Sequence, residues 1–247
     1  MTKSSKKVFA YKQQIAANKT EINTLMQNVG SVTRLNNLNW IRHEISYSEP
    51  TTLFYLPKLS QKNVLDFTCT KNLGDAYDYI VNNPQDVIDS YSICKIHSML
   101  CNGTHLSYVG GHYRNSSKVV EITVNGEYYH APEAYEIPSR MNKIIFDLYN
   151  STKTPLNKAF DIHYELIALQ PFEDFNKRTA RLIMNWVLIQ NGFRPIIFND
   201  ALDKKNYKAA IAACMNGNRK AYHEYMTSCM VRTQRKIINL LKKSKMM

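Results

Sequence analysis

Residues 169–185 read LQPFEDFNKRTARLIMN, and the side chains in this stretch could handle phosphate. Asp174 supplies a carboxylate and Asn176 an amide, while Lys177, Arg178 and Arg181 supply three cations. The segment Thr179 to Ile189 is apolar on nearly every side, as expected of a helix in the middle of a core. A loop entering such a helix presents unpaired backbone N–H groups and the positive end of the helix dipole, a combination that binds anions. Three cations at that end oppose the dipole, and a bound phosphate would resolve the conflict. Arg181 lies one turn on from Arg178 or Lys177, on a neighbouring face. Asp174 is placed to hold a magnesium ion, which typically uses one or two carboxylates plus the nucleotide's own phosphates. Asn176 can cap the helix, touch a phosphate, or do both. The plainer reading is a surface loop of solvated charges, and Phe172 is a core anchor in either case.

The elements that must position these residues can be read from periodicity. Residues from about 6 to 33 are polar and helical, with Ile15, Ile22 and Leu25 at helical spacing, and are expected to pack as an appendage. A short helix over about 36–53 must end or break at Pro50. Two further helices are expected over 64–81 and 86–100, the second with Val87, Ile88, Tyr91, Ile93, Ile96 and Leu100 as its apolar positions. Between Gly110 and Pro138 the apolar period falls towards two. There VVEITVNGEYYH carries Asn125-Gly126, which suits a tight type I′ turn and predicts a β-hairpin. A lone hairpin cannot stabilise itself, so it must lie against the helices, with an edge that can receive a partner strand. Helices resume over 138–149 and 157–169, Asn191-Gly192 stops the buried helix, and two terminal helices follow from Asp203 and Arg219.

The chain of 247 residues is 44% apolar, enough for one substantial core, read here as a single soluble domain with decorated ends. Five cysteines, odd in number and never in a CxxC pair, argue against a disulfide framework and a zinc site. No signal-peptide core or membrane-length apolar run is present, so a cytoplasmic location and no membrane span are expected. The net charge of +12 could attract polyanions, yet it is spread widely and densest in the amphipathic tail RTQRKIINLLKKSKMM. Nucleic acid is therefore the weakest of the partner classes.

The string Gln170-Pro171-Phe172-Glu173-Asp174-Phe175-Asn176-Lys177-Arg178-Thr179-Ala180-Arg181 resembles the signature of the Fic/Doc family, His-Pro-Phe-x-Asp-Gly-Asn-Gly-Arg-x-x-Arg. Weaker likenesses surround it: ICKIHSML at 93–100, the hairpin segment at 111–122 and YKAAIAACMNG at 207–217. The resemblance implies a mainly α protein, a Fic-fold helical bundle with a β-hairpin flap over the active-site loop. It divides the chain into an N-terminal helical extension, 1–60, and a Fic-like domain with C-terminal helices, 61–247. It implies that Asp174 holds magnesium and that Asn176, Arg178 and Arg181 contact the phosphates of ATP. It also implies that the flap, Val119 to Tyr129, docks a target protein by strand addition, with a homo-oligomer compatible.

In most of the family AMP moves from ATP to a protein hydroxyl; in the Doc branch the step is similar to a kinase reaction on elongation factor Tu. Three departures bear on the site. Gln170 stands at the position of the catalytic His, and an amide cannot act as a base near neutral pH. Phe175 replaces a glycine that supplies positive φ and close approach, at a cost of about 1–3 kcal/mol if that conformation is kept. Lys177 replaces the second glycine, as in Doc, and can grip a phosphate as a point charge. His163, about two turns or ~10 Å before Gln170, is too far to substitute as base; His112 and His97 are a weak substitute and a packing residue respectively. Glu49 in SYSEPTTL resembles the Glu of the family's inhibitory helix, although Ile45 and Pro50 depart from that pattern. The expected protein is thus a Fic-fold nucleotide or phosphate binder with impaired or altered AMP transfer. The alternatives are Doc-like phosphotransfer and a non-catalytic protein-binding module.

Overall fold

The computed structural model describes residues 3–29, 31–46, 61–124, 126–198 and 201–243. The elements are α1 (Lys3–Asn28), α2 (Ser31–Ser46), α3 (Gln61–Asn82), α4 (Ser90–Cys101), β1 (Val119–Val124), β2 (Glu127–His130), α5 (Ile137–Asn150), α6 (Pro155–Leu169), α7 (Asn176–Gln190), α8 (Ala201–Met215) and α9 (Arg219–Lys243). Glu49, Pro50 and Asn125 lie outside the described residues. Among those described, no helix is long and apolar enough to cross a membrane.

The chain groups into two compact units, one of residues 1–48 with 193–247 and one of residues 49–192. In the first, α1 packs along α9, with α2 and α8 also against α9. Ile15 and Ile22 are buried as their spacing predicts. A buried polar pair fixes the register: Asn18 donates to Gln234 Oε1 at 3.2 Å, and Gln234 donates to the Ile15 carbonyl at 3.2 Å. Contacts within the first unit join the two ends of the chain, which chain order alone cannot reveal.

In the second unit α7 lies at the centre. Its residues from Leu182 to Leu188 are all buried, and it packs on α3, α4 and α6. α4 begins later than its apolar pattern suggests. Asp89 caps it by accepting from the Ser92 N–H at 2.7 Å, while the Asp89 N–H donates to Ser92 Oγ at 2.8 Å. That reciprocal cap starts the helix at Ser90, which leaves Val87 outside it and 63% exposed; Tyr91, inside the helix and expected on its apolar face, is 75% exposed. β1 and β2 form the predicted antiparallel hairpin, with Gly126 in the turn at φ +89° and a register irregularity between Val120 and Thr123. Tyr129 Oη donates to the Ala168 carbonyl at 3.1 Å, tethering the hairpin to the end of α6.

Candidate functional site

The loop between α6 and α7 is shaped by two non-glycine residues in the left-handed region, Gln170 at φ 47° and Phe175 at φ 55°. Gln170 ends α6, its N–H donating to the Leu166 carbonyl at 3.0 Å. Its buried side chain turns back on the same helix, Nε2 donating to the Ile167 carbonyl at 2.7 Å. Phe175 is the residue before α7 and provides no side-chain cap for it. Asn176, expected as cap or phosphate ligand, is the first helical residue and staples the loop. The Phe172 N–H donates to its Oδ1 at 2.9 Å, and its Nδ2 donates to the Phe172 carbonyl at 2.7 Å. Phe172 itself is fully buried, as the sequence predicts.

Asp174 and Lys177 are exposed; Arg178 and Arg181 are half-buried. Asp174 Oδ1 accepts the Phe175 N–H at 2.6 Å. The Arg178 guanidinium stacks 4.6 Å from the centre of the Phe175 ring, so the residue in the glycine position touches the motif's first arginine. Arg181 lies near enough to α6 for its charge to act on His163. Burial, helped by the Arg181 charge, holds His163 down to about 3. His163 is fully buried in α6, out of reach of a hydroxyl at this loop. His112 is exposed.

Several residues that build the site carry no sequence signal for it. Arg114 is buried, and its guanidinium donates from Nε to the Gln170 carbonyl at 2.7 Å and from one terminal nitrogen to Leu169 at 3.4 Å. It also donates to the Ser116 and Pro132 carbonyls, and its backbone N–H donates to Pro171 at 2.9 Å. One side chain thereby ties the α6 terminus, the loop and both roots of the hairpin. Lys118 donates to the Glu173 carbonyl, and Ser116 Oγ donates to the Glu173 carboxylate at 3.3 Å. The only hint was a lone Arg in a glycine-rich segment, GGHYR, with no acid nearby to pair it.

The donor set can be tested against Mg-ATP on this geometry. Exposed Lys177, the Arg178 guanidinium and a first turn of α7 lacking a side-chain cap suit a polyphosphate. Among the described residues no three His, Cys, Asp or Glu cluster to hold a metal. A lone carboxylate such as Asp174 still suits magnesium, which keeps waters and phosphate oxygens as its other ligands. Asn176 fits less well as a ligand, since both ends of its amide already bond Phe172.

Residues 87–188 match the model of the Fic/DOC family. A protein adenylyltransferase Fic of Nematostella vectensis is 26% identical over 178 residues, 70% of this chain and 40% of that protein. A Fic-domain-containing signalling protein of Bacteroides thetaiotaomicron superposes with a TM-score of 0.77 at 20% identity, covering 93% of this chain and 97% of that one. Fic-1 of Caenorhabditis elegans superposes at 0.73 and 18% identity, covering 95% and 74%. The match to a Fic/DOC domain thus covers residues 87–188, and the chain has the mainly α Fic fold. It spans less than half the length of the curated relatives it matches, 40% and 24% for the first two.

Proposed function

We propose that the 170–181 loop binds the phosphates of a nucleotide, and that AMP transfer there is impaired or altered. The observation that carries this reading is Gln170. It occupies the family's base position, and its Nε2 is hydrogen-bonded to the Ile167 carbonyl. An amide takes no proton from a hydroxyl near neutral pH, and general-base help is worth about 10²–10⁴-fold. Lys177, Arg178 and the first amides of α7 would hold phosphates, Arg181 would contribute its charge from the next turn, and Asp174 would hold magnesium. The metal, when bound, supplies charge neutralisation at the phosphates. A target segment would dock along the hairpin, residues 119–129. The name of the Nematostella relative, an adenylyltransferase, supports AMP as the group at issue. The Lys177-Arg178 pair, matching the Doc branch, supports a second reading in which the γ-phosphate is transferred.

Thermal stabilisation by millimolar ATP with magnesium tests binding, because a ligand specific to the native state raises its stability. No shift would overturn the reading. Incubation of cell extract with ATP labelled at the α- or the γ-phosphate then separates AMP transfer, phosphotransfer and a purely binding role. Gln170→His is expected to raise α-label transfer by about 10²-fold or more.

A further inference from the structure

His97 is buried beneath the loop, on α4, with its ring stacked on Phe172 at 3.8 Å and 4°. Each ring nitrogen has one backbone partner of fixed polarity, and Cys101 Sγ, which can donate or accept, also lies 3.4 Å from Nε2. The Gly111 N–H can only donate, and it donates to Nδ1 at 3.0 Å. The Asp174 carbonyl can only accept, and Nε2 lies 3.1 Å from it. These partners require the neutral tautomer with its proton on Nε2. Gly111 makes the approach feasible: its φ is +82°, and a Cβ there would sit 3.1 Å from the Cys94 carbonyl oxygen and 3.2 Å from Ser98 Cβ.

In a trans peptide the C=O and the following N–H point in opposite directions. No peptide among the described residues is cis. Drawing the Asp174 carbonyl down to His97 therefore turns the Phe175 N–H away from α4, where it meets Asp174 Oδ1 at 2.6 Å. Phe175 then needs the left-handed conformation it adopts to start α7.

We propose that His97 is a positioning residue for the phosphate loop: its Nε2–H fixes the Asp174–Phe175 peptide, and through it the Asp174 carboxylate and the first turn of α7. The link to phosphate rests on the function proposed above, whereas the peptide orientation does not.

The test uses the full chain and two amide variants that each keep one half of the imidazole. The Nε2 of His97→Gln can reach the Asp174 carbonyl, and His97→Asn can keep only the Gly111 contact. Nitrogen-15 shifts of the wild-type ring should report a proton on Nε2; a proton on Nδ1 overturns the proposal without any variant. The Phe175 amide resonance, recorded without ligand, should be retained in His97→Gln and displaced in His97→Asn. Equal behaviour of the two overturns the proposal. If the wild type binds Mg-ATP, its affinity should be close to unchanged in His97→Gln and fall about tenfold in His97→Asn, one hydrogen bond's worth. Equal affinities there overturn the link to the site. Absence of binding in the wild type overturns the nucleotide reading alone, while the ring and amide shifts still decide the role of His97.

Discussion

Beneath the 170–181 loop, Arg114, His97 and Asn176 are buried and bonded to backbone groups of the loop itself. At its rim, Asp174 and Lys177 are exposed, and Arg178 lies half-buried against the Phe175 ring. The floor sets the backbone path and the rim supplies the charges. The two fail differently: a buried polar group that loses its partner costs its full desolvation, while an exposed charge costs little to remove. The 170–181 stretch therefore mixes residues that shape the loop with residues that carry its exposed charge.

Acid should break the floor first and most. Burial, opposed by the Asp174 carbonyl contact, holds His97 down to about 4, and burial with the Arg181 charge holds His163 at about 3. Between those values and the usual 6.5 the unfolded chain binds protons that the native protein refuses. Their contribution is therefore complete above pH 6.5 and is lost as pH falls through about 4 and then about 3. Unfolding free energies from urea titrations should fall steadily from pH 6.5 to 4, by roughly several kcal/mol in total, and stay flat from pH 7 to 8 as far as these histidines are concerned.

Arg114→Ala comes next. It strips the Gln170, Leu169, Ser116 and Pro132 carbonyls of a donor and should cost about 3 kcal/mol in chemical denaturation. Asn176→Ala should cost about 2 kcal/mol by the same measurement. Asn176→Asp should do no better, because it faces the Phe172 carbonyl with a second acceptor. Phe175→Gly sits on the boundary between floor and rim. It relieves about 1 kcal/mol of left-handed strain but loses about 2 kcal/mol of ring burial. The net loss should be about 1 kcal/mol, read together with the change in Mg-ATP affinity as Arg178 is uncovered. Lys177→Ser should shift stability by less than about 0.5 kcal/mol and instead weaken anion binding and its salt dependence. A large stability loss at Lys177 would contradict the division between floor and rim.

The helices, the hairpin at Asn125-Gly126 and the buried character of α7 were legible in the sequence, because periodicity and turn chemistry are local. The positive φ at position 175 followed only from the family resemblance, and Phe175 keeps it in spite of its Cβ where a reshaped loop was the expectation. The start of α4 is set instead by the reciprocal cap of Asp89 and Ser92, which outweighs the apolar pattern reaching back to Val87. The role of Asn176 stayed open between cap and ligand, and the structure gives it a third.

The sequence by itself determined which residues could meet a phosphate, because charge and spacing along one loop and one helix are properties of neighbouring positions. Only the tertiary structure decided what holds that loop in place. Arg114 acts on carbonyls 55 and 56 positions away and His97 on one 77 positions away; in the other unit, Asn18 pairs with Gln234 across 216 positions. Most of those acceptors are backbone carbonyls, which every residue carries alike, so no pattern of side chains along the chain could have named them.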